Sequence, residues 1–321
     1  MLRLGICTLE QYDRVIRSQD LSASGVSYGL LDIPDDAPEG DVQRFEAISL
    51  RLRTSNGTTR LTFPHRFWEV DKATSRILKE FYDINSELRI QDRAMSHGLT
   101  SYEWAQELFQ TFPRAHLQAS DRILYLYRIS LSSGETFILE PDGSPLQYVR
   151  PPFVVSIGHR EPFRFPFNHL IAIYAKRRFR RLALRTDWRN SQGGDEYKLD
   201  QICCIHPRAR SLSKVNPQFR FCALSVFERT PGIDVLRTMN ILNQAYFPPE
   251  QLIEGANAAF HSLKLGGIWI VGRTLEEDAT NHVTFLRRKE KGWEILERIG
   301  CGSEMEQFAA HAPALAHGPH Q

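Results

Sequence analysis

The sequence predicts an α/β fold built on a mixed, mostly parallel sheet flanked by helices, and three observations carry that prediction. From about residue 87, short apolar runs alternate with amphipathic stretches of helical period, the pattern of a parallel sheet with crossover helices. The long helical stretch from Pro248 to Leu265 opens on Pro248-Pro249 and closes on Gly266-Gly267, the asymmetry that true helices show. Val283 to Leu286 and Trp293 to Leu296 flank Lys291-Gly292, which predicts an antiparallel C-terminal hairpin finishing the sheet.

Composition excludes several alternatives. A hydrophobic content of 42%, with 20 glycines in 321 residues, is that of a globular chain with a sizeable core and not of a collagen-like or disordered one. No uninterrupted run of apolar residues is long enough to span a bilayer, and the apolar stretch after Arg3 is too short for a signal-peptide core, so a soluble protein is expected. The net charge is only +2, so any electrostatic partner must be read from local clusters. Cys7, Cys203, Cys204, Cys222 and Cys301 are odd in number and none forms a Cys-x-x-Cys pair. No metal site is expected, the thiols suit a reducing cytoplasm, and a bacterial-type protein is expected.

Residues 1–85 read as an N-terminal arm and helical lid. The breaker-rich stretch Pro34 to Gly40 reads as a linker, and the arm is expected to pack loosely. Phe67, Val70, Ile77, Leu78 and Phe81 fall at helical spacing. Leu88 to Asp92 follows as a strand, and Thr100 with Glu103 predicts a capping box opening a helix whose face is Trp104, Ala105, Leu108, Phe109 and Phe112. Ala115 to Asp121 is a second strand ending in an acid. Residues 122–200 interrupt the alternation as a β-hairpin/helix insertion: strands at Ile123 to Ile129 and Thr136 to Glu140, then a helix from Phe165 to Leu184. Strands at Phe219 to Val226, Ile233 to Met239 and Gly267 to Val271 resume the alternation, and residues 303–321 read as a disordered tail.

The stretch Asp92-Arg-Ala-Met-Ser-His-Gly98 carries the most chemistry. Small residues at 94, 96 and 98 lie between a strand end and a helix start, where backbone N–H groups can approach a ligand and the helix N-terminus favours negative charge. Asp121 ends the next strand about 23 residues after Gly98, close to the roughly 20-residue spacing of an acid that grips a ribose. Together they suggest an adenosine ligand.

Asp92 to Glu103, Ala119-Ser-Asp121, Phe221 to Phe227, Asp234 to Phe247 and Leu263 to Arg273 together resemble the class I S-adenosylmethionine-dependent methyltransferases, in order and at matching spacing. The resemblance covers roughly residues 86–300 outside the insertion and implies a Rossmann-like domain over 86–302 with S-adenosyl-L-methionine as cofactor. It implies that Asp92, Ala94, Ser96, His97 and Gly98 surround the methionine part and that Asp121 bonds the ribose. Arg122 would lie beside the adenine, Ser225 and Val226 would contact the base, and Asn240 would line the methyl-transfer pocket. Ala94 and Ser96 stand where the family has glycines, and Ser225 where it often has an Asp. The reaction requires no fixed catalytic signature, so the catalytic residues are unknown; His97, His65 and Tyr246 are candidate bases by residue type.

Arginines dominate Arg160 to Arg189, where only Glu161 and Asp187 oppose them. The patch reads as a solvated helix face, as a peripheral membrane contact through residues 165–185, or as an RNA-facing surface with Phe163, Phe165, Phe179 and Trp188 for stacking. The expected function is methyl transfer to an oxygen or nitrogen of a small-molecule acceptor. The alternatives are a non-catalytic S-adenosylmethionine-binding pseudoenzyme and an RNA methyltransferase using the 160–189 patch.

Overall fold

The computed structural model describes residues 2–17, 25–55, 57–58, 60, 62–158, 165–185, 197–275 and 279–311. In chain order the first elements are β1 (Gly5–Ile6), α1 (Leu9–Arg17), β2 (Gly25–Val26), α2 (Glu39–Ser49), α3 (Trp68–Phe81), β3 (Arg89–Arg93), α4 (Leu99–Thr111) and β4 (His116–Asp121). Then come β5 (Tyr125–Leu131), β6 (Thr136–Leu139), β7 (Pro145–Arg150), β8 (Phe153–Ser156), α5 (Pro166–Arg185) and β9 (Tyr197–Cys203). The last are α6 (Pro207–Val215), β10 (Phe219–Ala223), β11 (Ile233–Met239), α7 (Pro249–Ser262), β12 (Leu263–Thr274), β13 (Asn281–Lys289), β14 (Gly292–Ile299) and α8 (Met305–Ala309).

The chain forms two compact units, Met1–Leu61 with Ile123–Pro207, and Thr62–Arg122 with Arg208–Gln321. It divides there rather than at residue 85. The N-terminal segment supplies a face of the insertion's own core, while α3 packs on α4 in the other unit. In the first unit a five-stranded antiparallel sheet runs β8-β7-β6-β5-β9. Alternation along its strands fills two cores. Leu126, Ile138 and Val154 meet Ile6, Tyr12, Leu31, Phe45 and Ile48 on one side, while Ile129, Phe137 and Val155 meet Ala172, Ala175 and Phe179 of α5 on the other. The N-terminal arm is therefore well packed, contrary to the sequence expectation. Of its supposed linker, Pro38 is the N-cap of α2, and Glu39 and Asp41 place acids in the first turn of that helix.

The second unit holds a seven-stranded sheet of order β10-β4-β3-β11-β12-β13-β14. The first five strands are parallel, and β13 pairs antiparallel with β12 and β14 antiparallel with β13, the mixed Rossmann-like sheet the sequence predicts. From β3 the chain winds outward through β4 to β10, then crosses back to β11, so strand order reverses between β3 and β11. The expected tail needs correction. Met305 and Phe308 are buried in the core beside Leu252, Ala256 and Trp269, so 305–309 is a helix; residues 312–321 lie outside the described residues.

Candidate functional site

The point where strand order reverses in an open α/β sheet leaves a crevice beyond the strands' C-terminal ends. Here that place is occupied by the loop after β3. Ala94, Ser96 and Gly98 adopt φ of 60°, 61° and 84°. Left-handed backbone costs a residue with a Cβ about 1–2 kcal/mol, so two such residues in one loop must be held by their surroundings. The Met95 N–H donates to the Ser120 carbonyl at 3.0 Å, the Ser96 N–H to Asp121 Oδ2 at 2.9 Å, and the Gly98 N–H to the Met95 carbonyl at 3.0 Å. At Gly98 a Cβ would lie 3.3 Å from Met95 Sδ and 3.6 Å from the Phe221 ring, on a backbone that L side chains rarely adopt.

Gly98 is also the N-cap of α4, and no side chain caps the helix. The expected capping box does not form. Thr100 is buried in the first turn, and the Glu103 carboxylate instead accepts the His65 N–H at 3.0 and 3.1 Å. The first-turn N–H groups of α4 thus lack a side-chain acceptor, leaving the positive end of the helix dipole at the loop.

Asp92 departs from its expected role. Its two oxygens accept Arg237 Nε at 2.9 Å and Nη2 at 2.5 Å, and Oδ2 also accepts the Ser101 hydroxyl at 2.5 Å. Arg237, fully buried on β11, extends its Nη1 to Asp71 Oδ1 of α3 at 2.6 Å. Its guanidinium carbon lies 4.1 Å from the Trp104 ring centroid. Burial works against the charge on Arg237, but Asp92 and Asp71 outweigh it and raise its pKa. Burial pushes the Asp71 carboxyl up to about 8; the Arg237 cation works against the shift and the nearby Asp92 charge adds to it. Asp92 is 3% exposed and committed to this cluster.

The remaining expected residues fall around the same sheet end. His97 is buried, while Asp121 is half-buried and Arg122 exposed at the end of β4. Past β10, the Ser225 N–H donates to Glu228 Oε1 at 2.7 Å, and the Ser225 hydroxyl accepts the Phe227 N–H. Val226 points into the core that Ala94 packs against. Asn240, with φ 62°, ends β11 and turns its amide oxygen to the Thr274 N–H at 2.7 Å, tying it to β12. Of the candidate bases, Tyr246 and His65 are exposed and His97 is 1% exposed. Sequence reasoning missed Arg237 and Asp71. The signal was an arginine at the centre of the otherwise apolar run Val235-Leu-Arg-Thr-Met239, which a buried strand tolerates only with a partner.

A separate cleft of about 400 Å³ lies at the opposite rim, lined by Arg89, Gln91, Gln118, Gln218 and Arg220 near the N-terminal ends of β3, β4 and β10.

No family model and no curated protein matches the chain. Among solved structures, it is similar to a Nostoc punctiforme protein described as an O-methyltransferase, at 13% identity and a TM-score of 0.30 over 73% of this chain and 48% of that one. A Plasmodium falciparum protein described as a protein-L-isoaspartate O-methyltransferase, in complex with S-adenosyl-L-homocysteine, matches at 12% identity and 0.30 over 79% and 78%. An O-methyltransferase family 2 protein from Planctomyces limnophilus, in complex with apigenin, matches at 12% and 0.31 over 76% and 46%. The chain thus spans about half the length of the first and third of these. At such TM-scores the likenesses carry no argument about chemistry, and the Rossmann-like assignment rests on strand order and register.

Proposed function

We propose that the second unit binds S-adenosyl-L-methionine at the 94–98 loop and transfers its methyl group to an oxygen or nitrogen of a small-molecule acceptor. The observation that carries this reading is the left-handed backbone at three alternating positions, 94, 96 and 98, between the end of β3 and the uncapped start of α4. Two of those positions keep the conformation although their side chains oppose it. Such a loop suits a ligand that needs close backbone approach, and the residues present there fit a nucleoside with an amino-acid tail.

When bound, the cofactor supplies an electrophilic methyl group on a sulfonium, so the chain's own task is to hold and align. The loop and the N-terminus of α4 would face the amino-acid part, Asp121 the ribose hydroxyls, and the 225–226 turn the base. Asp92 is left out of this set because Arg237 engages both its oxygens; its part is to fix the end of β3 under the loop. The pseudoenzyme alternative draws on that same commitment and on the Cβ atoms at 94 and 96.

Titration calorimetry with S-adenosylhomocysteine tests the reading. Asp121→Ala is expected to weaken binding by about tenfold or more, the loss of hydrogen bonds to a charged acceptor. Gly98→Val is expected to abolish binding. Absence of binding by the wild-type chain would end the proposal, and binding without transfer to any acceptor would favour the pseudoenzyme.

A further inference from the structure

Helix α5 of the first unit presents a face that its own core does not use. Asn168, Ala172, Ala175 and Phe179 form the buried stripe. Two sets of polar contacts fix the helix's rotation. Near its start, Asn168 accepts the Arg3 N–H at 2.7 Å and donates to the Arg3 carbonyl at 2.8 Å. Further along, Tyr174 and Arg178 both reach the buried Glu135 carboxylate, at 3.2 and 3.5 Å.

With that rotation set, Phe167, Leu170 and Ile173 stand 57%, 62% and 38% exposed on the outer face. One to two turns on, the same face continues as Lys176, Arg177, Arg180 and Arg181, all exposed. Positions 167, 170, 174, 177 and 181 follow one stripe of the helix, so the apolar and cationic halves are consecutive stretches of a single surface. The helix contains no Asp or Glu, and among the described residues none of those four cations makes an ion pair. Single exposed apolar residues are ordinary, but three neighbouring ones leading into four cations match a partner that is both apolar and anionic.

We propose that this face of α5 docks on an anionic lipid bilayer surface, with Phe167, Leu170 and Ile173 entering the headgroup–acyl boundary and Lys176, Arg177, Arg180 and Arg181 meeting the lipid phosphates. Interfacial helices combine buried apolar side chains with cationic attraction to anionic headgroups in this way. No helix among the described residues is long and apolar enough to cross a membrane, so the contact is peripheral. RNA fits the surface less well. Of the aromatic residues expected to stack on bases, Phe163 and Trp188 lie outside the described residues, Phe179 is buried in the core and the Arg3 guanidinium lies over Phe165 at 5.1 Å. The aliphatic Leu170 and Ile173 offer a base no π-face. The proposal is independent of cofactor binding by the second unit.

Flotation of the full chain with phosphatidylcholine vesicles, with and without phosphatidylserine, provides the test. The chain should float with the phosphatidylserine vesicles and remain behind with the neutral ones, and added salt should release it. Arg177→Ala with Arg181→Ala should weaken partitioning about 30-fold, the combined contribution of two surface cations. Leu170→Glu should abolish it. All three positions are exposed, and an unchanged melting temperature would show that the variants are folded. Partitioning that is insensitive to these substitutions, or absent from anionic vesicles, overturns the proposal. So does RNA binding abolished by the arginine pair without vesicle binding, or a dimer dissolved by Leu170→Glu, since either names a different occupant for the face.

Discussion

Arg93 and Arg237 lie on adjacent parallel strands at the centre of the sheet, both about fully buried, yet they solve the burial of a charge in opposite ways. Arg237 faces α3 and α4 and is held by the side chains of Asp92 and Asp71 and by an aromatic ring. Arg93 reaches only neutral acceptors: Gln91 Oε1 at 3.0 and 2.9 Å, the Glu228 carbonyl at 2.7 Å and Ser262 Oγ at 3.0 Å. Among the described residues no carboxylate comes within ion-pair distance of it. Burial lowers its pKa to about 10, which still leaves it cationic at neutral pH. One side of the β3–β11 junction is therefore fixed by direct charge pairing, while the other makes its hydrogen bonds to neutral groups, with the Glu228 charge acting on Arg93 only beyond ion-pair distance. The loop proposed to hold the cofactor begins between these two environments, immediately after Asp92 and Arg93.

The sharpest test of that contrast is to remove each guanidinium. Arg237→Leu takes the counter-charge from the buried Asp92 carboxylate and the hydrogen-bond partner from Asp71, and is expected to cost about 3–5 kcal/mol in urea unfolding. Arg93→Leu removes a cation that had no carboxylate at ion-pair distance among the described residues and leaves neutral acceptors unsatisfied, so about 1–3 kcal/mol is expected. Adding Gln91→Leu to Arg93→Leu should recover part of that loss, because a neutral network can be exchanged for apolar packing. Equal losses for the two arginines would mean that pairing is not what separates the two faces.

The uneven legibility of this region follows from the same physics. The strands, their order of appearance and the closing hairpin were readable because apolar runs and turn residues are local signals, as at Ile233 to Met239 and Lys291-Gly292. The partners of Arg237 were not, since Asp71 lies 166 positions away and only the sheet brings it close. The capping box failed for a local reason: Gly98 in left-handed conformation already serves as N-cap, so Thr100 enters the helix. The pairing of residues 1–61 with 123–207 had no local signal, because one apolar face of the insertion's sheet is buried only against residues distant in the chain. For the loop, sequence showed small residues at 94 and 96 where glycine was expected. That the backbone keeps glycine-like angles there belongs to tertiary structure.

The charged side of the junction should also carry a pH signature that the neutral side lacks. The folded chain holds the Asp71 proton up to about pH 8, whereas the ordinary carboxyl releases it near 3.8. Between those values the unfolded state binds fewer protons than the folded state, so stability falls as pH rises through the window. Asp71→Asn should flatten that slope in unfolding experiments run across it, while Arg93→Leu should leave it unchanged. A slope that survives Asp71→Asn would assign the titration to another group and loosen the account of how Arg237 is balanced.

The smallest expected effect concerns how firmly the paired side braces the loop. At φ 60° Ala94 holds a conformation costing a residue with a Cβ about 1–2 kcal/mol, and glycine would relieve it while adding about 0.5–1 kcal/mol of unfolded-chain entropy to be lost. Ala94→Gly should therefore stabilise the fold by about 0.5–1 kcal/mol. In an Arg237→Leu background the gain should shrink, because without the guanidinium Asp92 no longer pins the end of β3 and the loop can relax unaided. A double-mutant cycle measures that difference directly. Full additivity would separate the strain at Ala94 from the ion-paired face, and a net loss on Ala94→Gly would mean that the Ala94 methyl group contributes more by packing against the core than its backbone gives up.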